Sequence, residues 1–370
     1  MTSAARGLWA KRLTLSLVAT LLSLAGAELV LRIAGIEASR WAHANHLESA
    51  DKRAVVDAYP DDPRGYFDLD LRDAEVRAEW AARGVQRLDA IAERTPSGVG
   101  LRFDEHLCRS DSGVAPTEGA LRVLVVGDSF AEGQGVRGED TFSARLDRRL
   151  GDRADVVNCG RRGYDFPQLA DALPARLAAY APDLVVYAMV LNDAQRSEAF
   201  AARQTYLDDW IVDRRRMLAS DQEPPSTWIP RVYTVTADRV EAARVGQETL
   251  QWYRDLYAAP NADGWAATQD HIVAMRDAAR AAGADFLVAL LPLLVDLDGD
   301  YPFTETHRAI ERALVARGVA FTDTSAALLG ERTDALWVHP TDHHPNERAH
   351  ARLSASLYRA VEPFLALRGR

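Results

Sequence analysis

The sequence Leu121-Arg122-Val123-Leu124-Val125-Val126 is followed directly by Gly127-Asp128-Ser129-Phe130. A short and almost continuous apolar run is typical of a strand that is buried on both faces of a sheet. Gly-Asp-Ser then brings turn-forming and polar residues to the point where this strand ends. The pattern therefore predicts a central strand with chemically useful side chains at its carboxyl end.

Further apolar runs downstream alternate with segments of helical spacing. Phe142, Leu146 and Leu150 recur every four residues behind a cap at Asp140 or Thr141, and Pro167 opens a second helix. Alternating strands and helices indicate a parallel α/β sheet, whose sites lie at the carboxyl ends of its strands. The other predicted strands are residues 156–157, 184–189, 286–291 and 319–321, and later helices are expected at residues 307–317 and 346–365.

Four blocks of polar residues fall at strand ends or just before the last helix. They are Gly127-Asp128-Ser129-Phe130, Asn158-Cys159-Gly160-Arg161-Arg162-Gly163, Leu191-Asn192-Asp193 and Asp342-His343-His344-Pro345-Asn346. In this order and context the blocks resemble those of the SGNH hydrolase superfamily, also called GDSL-type esterases and lipases, of the bacterial exported or membrane-anchored type. The resemblance covers about residues 121–365.

The resemblance implies a three-layer α/β/α, flavodoxin-like parallel sheet and a serine esterase activity. Ser129 corresponds to the family's nucleophile, His344 to its base and Asp342 to the acid that orients the base. The family's second-block glycine corresponds to Gly163 and its third-block asparagine to Asn192, which with the backbone N–H of Ser129 would form the oxyanion hole. No cofactor and no metal are expected, and the substrate would be a small-molecule or glycan ester.

The residue types suit this chemistry. A serine hydroxyl is a weak nucleophile until a base removes its proton, and an imidazole titrates near neutral pH. An aspartate can hold the imidazole ring and stabilise the imidazolium that forms. As the substrate's carbonyl oxygen becomes negative, N–H donors must already point at it. Gly163 can bring its backbone N–H close because it has no Cβ.

Three positions of this chain bear on how well it fits the family's pattern. Many members place the aspartate three residues before the histidine, where this chain has Thr341, whereas Asp342 stands two before His344 as in a bacterial Asp-x-His-Pro-Asn version. His343 competes with His344 for the role of base, although the Pro-Asn that follows favours His344. The third block has Val190 where a glycine is usual, which alters a wall of the site rather than the donor.

The sequence leaves other functions open. An O-acyltransferase, such as an acetyltransferase acting on cell-surface glycans, would share the acyl-enzyme and differ in its acceptor. A non-hydrolytic module that binds zinc or a nucleotide is the second alternative. Residues 133–138 match the dinucleotide fingerprint, but they start too far beyond the strand end for that motif. A zinc site could use Asp342 with His339, His343, His344 and His350.

The N-terminus has the pattern of an export signal. Arg6, Lys11 and Arg12 precede an apolar run over residues 13–27, which is typical of a secretory signal or signal anchor. Ala25-Gly26-Ala27 fits a cleavage site, so a cleaved and secreted form stays open. Positive charge keeps the N-terminal end in the cytoplasm, and the catalytic domain is therefore expected on the periplasmic or extracellular side.

Residues 1–35 are thus expected to form a signal peptide or transmembrane anchor, residues 36–120 a membrane-proximal lead-in, and residues 121–370 the hydrolase-like domain with an insertion at about residues 195–264. The net charge of −10 argues against a nucleic-acid partner, which requires a basic surface, and the membrane is the expected partner of the N-terminal helix. The only two cysteines, Cys108 and Cys159, allow at most one disulfide, and whether they pair stays open.

Overall fold

A computed structural model describes residues 3–36, 78, 102–110, 117–164, 166–203, 229–339 and 342–368 of the chain. Contacts divide the chain into two units, one made of residues 1–63 with 205–249 and the other of residues 64–204 with 250–370. Most of the predicted lead-in lies outside the described residues, and the predicted domain boundaries stay predictions.

The described helices and strands alternate along most of the chain. The helices are α1 (Ser3–Ile33), α2 (Ser129–Glu132), α3 (Phe142–Leu150), α4 (Gln168–Tyr180), α5 (Glu198–Ala201), α6 (Arg231–Asp255), α7 (Ala262–Ala281), α8 (Thr304–Ala316) and α9 (Glu347–Arg368). The strands are β1 (Leu121–Gly127), β2 (Ala154–Gly160), β3 (Leu184–Met189), β4 (Asp285–Leu290), β5 (Ala320–Asp323), β6 (Trp337–His339) and β7 (Asp342–Pro345).

The first unit contains α1. Its segment Lys11–Ile33 has a mean hydropathy of 1.9 and is long and apolar enough to cross a membrane. Near the end of this helix, Glu28 accepts hydrogen bonds from the Arg32 side chain (2.6 Å) and from the backbone N–H of Val232 (2.9 Å). Because Val232 lies in the first turn of α6, Glu28 satisfies one of the N–H groups that a helix start leaves unpaired.

The second unit is organised by a five-stranded parallel sheet in the order β2-β1-β3-β4-β5. β3 is buried along its whole length and β1 along all but its first two residues, as their continuous apolar runs predict. β2 is longer than predicted, because Asn158 and Cys159 continue the ladder opposite Val125 and Val126. This order sets the carboxyl ends of β2, β1 and β3 side by side, and three of the polar blocks follow those ends.

Helices pack on the sheet in the arrangement that the sequence predicts. α3 packs against α9 and β2, whereas α4 packs against α7 and β1. Thr141 is the cap of α3, since its side chain accepts the backbone N–H of Ala144 at 3.2 Å, and Pro167 directly precedes α4. The predicted three-layer α/β/α fold is confirmed. The predicted insertion contains α5, α6 and the start of α7, and residues 204–228 within it lie outside the described residues.

A disulfide joins Cys108 to Cys159, and both residues are fully buried. The bond ties residues 102–110 to the end of β2. The backbone N–H of Arg109 supports the same junction by donating to the carbonyl oxygen of Asn158 at 2.7 Å. The two cysteines therefore pair, and Cys159 belongs to the same polar block as Gly163.

The buried histidine His350 packs α9 against α3. Its ring stacks on Phe142 with the centroids 5.5 Å apart, and its Nδ1 accepts the backbone N–H of Phe142 at 3.0 Å. Burial, together with the positive charges of Arg109, Arg145 and His344, lowers the pKa of His350 to about 3. The ring is therefore neutral in the folded protein and serves as an acceptor in the packing between the two helices.

This histidine predicts a pH dependence of stability. His350 has an ordinary pKa of 6.5 in the unfolded chain and about 3 in the folded protein, so the unfolded state binds one more proton between these values. The free energy of unfolding is expected to fall as the pH drops through this range, by up to about 1.4 kcal/mol per pH unit from this residue.

His350→Asn keeps an acceptor near the Nδ1 position and does not titrate. Urea unfolding at several pH values should give it a shallower slope, and equal slopes would contradict the assignment.

Candidate active site

Ser129 lies at a sharp strand-to-helix turn at the carboxyl end of β1. Gly127 ends the strand in close contact with its neighbours, since a Cβ there would lie only 2.6 Å from the carbonyl oxygen of Ala188 on β3. Asp128 is the cap of α2, because its side chain accepts the backbone N–H of Phe130 at 2.9 Å. Ser129 is the first residue of this one-turn helix, so β1 fixes the position of its hydroxyl.

His344 reaches Ser129 from the β6–β7 hairpin. A hydrogen bond of 2.8 Å joins His344 Nε2 to Ser129 Oγ. His343, the competing histidine, instead stacks on Trp337 with ring centroids 3.9 Å apart. Successive side chains in a strand point to opposite faces, so only one of two adjacent histidines can face the serine. The structure therefore brings together Ser129 and His344, the histidine that the following Pro-Asn sequence favours.

The hairpin is held close to the serine by two other contacts. Asn346 donates from its side-chain amide to the carbonyl oxygens of Ala335 (3.0 Å) and Trp337 (3.1 Å), which fixes the base of the hairpin. Gly135 leaves room for Val338, because a Cβ at this glycine would lie 2.5 Å from the Val338 Cγ1 atom. The glycines of residues 133–138 thus serve packing around the site, where Gly133 also ends α2 in a left-handed conformation.

Asp342 is described only in its backbone, which pairs with His339 in the hairpin. Its side chain, like that of His339, lies outside the described part of the structure. Its role as the acid that orients His344 therefore stays a prediction.

Asn192 lies in a turn after β3 and faces the serine's turn. Its amide Nδ2 donates to Asp128 Oδ2 at 2.9 Å. An amide nitrogen carries two N–H groups, so this bond fixes the amide and leaves its second donor to point elsewhere. Asp193 shapes the turn from below by accepting the Val190 backbone N–H (2.9 Å) and the Tyr187 hydroxyl (2.7 Å).

Gly163 lies in the loop after β2. Its φ of +75° favours glycine, and no described atom lies within 4 Å of the place that a Cβ would take. Two anchors precede it: the backbone N–H of Arg161 donates to the Gly127 carbonyl at 2.9 Å, and Gly160 is packed so closely on α2 that a Cβ would collide with the backbone of Glu132. The loop is therefore attached to the serine's own turn.

Burial is the main electrostatic feature of the site. It raises the pKa of Asp128, while the hydrogen bonds from Asn192 and Phe130 and the nearby His344 favour the charged form of this carboxyl. Within the described residues no group of three or more His, Cys, Asp or Glu is arranged to hold a metal ion. His343, His344 and His350 instead contact Trp337, Ser129 and Phe142 respectively.

Two buried charged residues around α2 were missed by the sequence analysis. Arg109 donates to the carbonyl oxygens of Glu132 (2.7 Å) and Val136 (2.6 Å), which completes the carboxyl end of the helix. Glu132 accepts the backbone N–H of Arg162 at 2.8 Å. The only signals in the sequence are the position of Arg109 next to Cys108 and the Ser-x-x-Glu spacing after the first strand.

The protein has a parallel sheet between two layers of helices, and a serine at the end of the first strand is hydrogen-bonded to a histidine. This is the architecture of an α/β/α hydrolase. The chain belongs to the GDSL-like lipase/acylhydrolase family, whose sequence profile matches residues 125–352. This range contains all four predicted blocks, so the resemblance drawn from them is confirmed and the protein is a hydrolase.

Solved structures of low sequence identity also match the chain. TesA is 20% identical, covers 66% of this chain and 99% of its own, and gives a TM-score of 0.40. A catalytic mutant of Axe2, an acetylxylan esterase from Geobacillus stearothermophilus, is 14% identical with coverages of 67% and 96% and a TM-score of 0.38. The esterase EstA from Pseudoalteromonas sp. is 13% identical with coverages of 66% and 98% and a TM-score of 0.39. No curated protein sequence matches the chain.

The two hydrogen bonds that Asp128 accepts generate a prediction. In Asp128→Asn one oxygen becomes an N–H donor and faces a neighbour that is itself a donor. Because the site is buried, we expect the free energy of unfolding to fall by about 1–3 kcal/mol. Urea denaturation measures the change, with the exposed Asp152→Asn as the matched control that should leave stability unaltered. An Asp128→Asn protein as stable as the wild type would contradict the geometry.

Proposed function

We propose that the protein cleaves an ester bond through an acyl-enzyme formed on Ser129, outside the cytoplasmic membrane. The observation that carries the proposal is the 2.8 Å hydrogen bond between Ser129 Oγ and His344 Nε2. At this distance the imidazole can take the hydroxyl proton as the oxygen attacks a carbonyl carbon. Family membership supports the same reaction class.

In the first step, Ser129 Oγ bonds to the ester carbonyl carbon and its proton moves to His344. The carbonyl oxygen then carries a negative charge, for which the backbone N–H groups of Ser129 and Gly163 and the free donor of Asn192 are the proposed partners. His344 returns the proton to the departing alcohol, which leaves the acyl group on Ser129. Asp342 is the proposed acid that orients the ring and stabilises its charged form.

In the second step, water replaces the alcohol. His344 removes a proton from the water, the water oxygen attacks the acyl carbon, and the same donors hold the oxyanion. When the tetrahedral intermediate breaks down, the proton returns to Ser129 Oγ and a carboxylic acid is released. The cycle uses no group other than the residues of this chain and the two substrates.

Two features support the proposed location. The apolar helix α1 begins near the N-terminus, and Arg6, Lys11 and Arg12 stand before its apolar stretch, which is the charge pattern of a segment with its N-terminal end in the cytoplasm. The disulfide between Cys108 and Cys159 is typical of an oxidising compartment such as the periplasm or the cell exterior. We propose that α1 anchors the catalytic domain on that side.

Hydrolysis of p-nitrophenyl acetate tests the site. Ser129→Ala and His344→Ala should each lower kcat by at least about 10,000-fold, because the residues of such a unit act together. His343→Ala is the matched control, since this neighbouring histidine contacts Trp337 rather than the serine, and it should stay within about tenfold of the wild type. Turnover that survives Ser129→Ala, or that responds to His343→Ala as strongly as to His344→Ala, would contradict the proposal.

A further inference from the structure

Glu132 is a buried carboxylate at the end of the helix that Ser129 begins. Its side chain is 1% exposed, and α2 is only one turn long, so Ser129 and Glu132 mark its two ends. Nothing in the proposed reaction uses this acid. Burying a charged group is costly unless neighbours compensate it, so its contacts need an explanation.

Those contacts all lie on the loop that leads to Gly163. Glu132 Oε2 accepts the backbone N–H of Arg162 at 2.8 Å, directly before the glycine. The guanidinium groups of Arg161 and Arg162 lie 3.7 and 3.8 Å from the same carboxylate. One end of α2 thus presents the hydroxyl of Ser129, while the other end binds the segment from which the Gly163 N–H projects.

Within the described residues, two backbone hydrogen bonds also hold the turn around Gly163. The Arg161 N–H donates to Gly127 and the Tyr164 N–H donates to the Arg161 carbonyl at 3.1 Å, which closes a turn around the glycine. No described atom packs where a side chain of Gly163 would be. The Glu132–Arg162 bond is therefore the contact nearest to Gly163 that joins its turn to the helix of Ser129.

A carboxylate suits this task because of its charge. Two arginines follow one another in the loop, and a charged acceptor forms a stronger and better-directed bond with an N–H group than a neutral one. Arg109 donates to the backbone carbonyl oxygen of Glu132 at 2.7 Å, which holds the main chain from which the carboxylate extends. Glu132 Oε1 accepts no hydrogen bond from the described residues, so the Arg162 guanidinium contributes through charge alone.

We propose that Glu132 is a positioning residue that sets the distance between the Gly163 N–H and Ser129 Oγ, and so controls stabilisation of the oxyanion. The proposal rests on the proposed function, in which Gly163 is an oxyanion donor. A displaced donor weakens binding of the transition state while leaving binding of the substrate nearly unchanged. The effect of Glu132 should therefore be on kcat and not on KM.

The test compares Glu132→Ala, Glu132→Gln and the exposed Glu139→Gln as a matched control, using p-nitrophenyl acetate and a boronic acid inhibitor. A boronic acid forms a tetrahedral adduct on the serine and therefore reports on the oxyanion donors.

Glu132→Ala should lower kcat about 10- to 100-fold and leave KM within about twofold, because displacing an oxyanion donor removes part of the stabilisation that its complete loss would remove. The inhibition constant of the boronic acid should rise by a similar factor. Glu132→Gln keeps an acceptor for the Arg162 N–H and should lose about three- to tenfold in both quantities. Glu139→Gln should match the wild type.

Unchanged kcat in a folded Glu132→Ala protein would overturn the proposal, as would a loss of kcat without weaker boronic acid binding. If Glu132→Ala does not fold, Glu132→Gln decides the matter, and wild-type values of kcat and boronic acid affinity in that variant would overturn the proposal.

Failure of the proposed function looks different: the wild type would then lack esterase activity, or Ser129→Ala would retain it. In that event hydrogen exchange at residues 160–164 decides whether Glu132 holds the loop, since exchange should be faster in Glu132→Gln, and equal exchange would refute its positioning role.

Discussion

The hydrogen bond between Ser129 and His344 joins residues that lie 215 positions apart in the chain, and the rest of the site depends on it. Ser129 is placed by β1, which is buried and hydrogen-bonded to β2 on one side and to β3 on the other. His344 is placed by a two-stranded hairpin outside that sheet, so its position depends on packing instead. The absence of a side chain at Gly135 lets Val338 approach, and Asn346 fixes the base of the hairpin. The Gly135–Val338 contact and the hydrogen bonds of Asn346 thus keep the hairpin beside the end of β1, where His344 can reach Ser129.

The helix that begins at Ser129 needs support from outside itself. A single helical turn is not stable alone, because its end groups have no partners within it. Two buried charged groups provide these partners, since Asp128 caps the start and Arg109 binds the carbonyl oxygen of the last residue. A third, Glu132, belongs to the helix and connects its end to the next loop. The disulfide between Cys108 and Cys159 holds the segment that supplies Arg109. The same contacts thus stabilise the helix and position Ser129.

The sequence predicts the sheet and the serine–histidine pair well, for identifiable reasons. β1 and β3 are buried, so their sequences are continuously apolar, and the blocks after them have the order of a known family. β2 was predicted too short because its buried Asn158 interrupts the apolar run while still pairing with Val125. Arg109 and Glu132 could not be predicted, since a charged residue in a sequence resembles a surface residue until its partners are known. Pairing of the cysteines likewise depends on a distance in space that a separation of 51 positions in the sequence does not reveal.

The proposed mechanism requires that the hydroxyl of Ser129 be the most reactive serine hydroxyl in the folded protein. A fluorophosphonate probe that modifies activated serines, followed by tryptic digestion and mass spectrometry, tests this directly. Cleavage after Arg122 and Arg137 gives a peptide in which Ser129 is the only hydroxyl-bearing residue. We expect the label on this peptide and no labelling of heat-denatured protein. Labelling of another serine in the native protein, with none at residue 129, would contradict it.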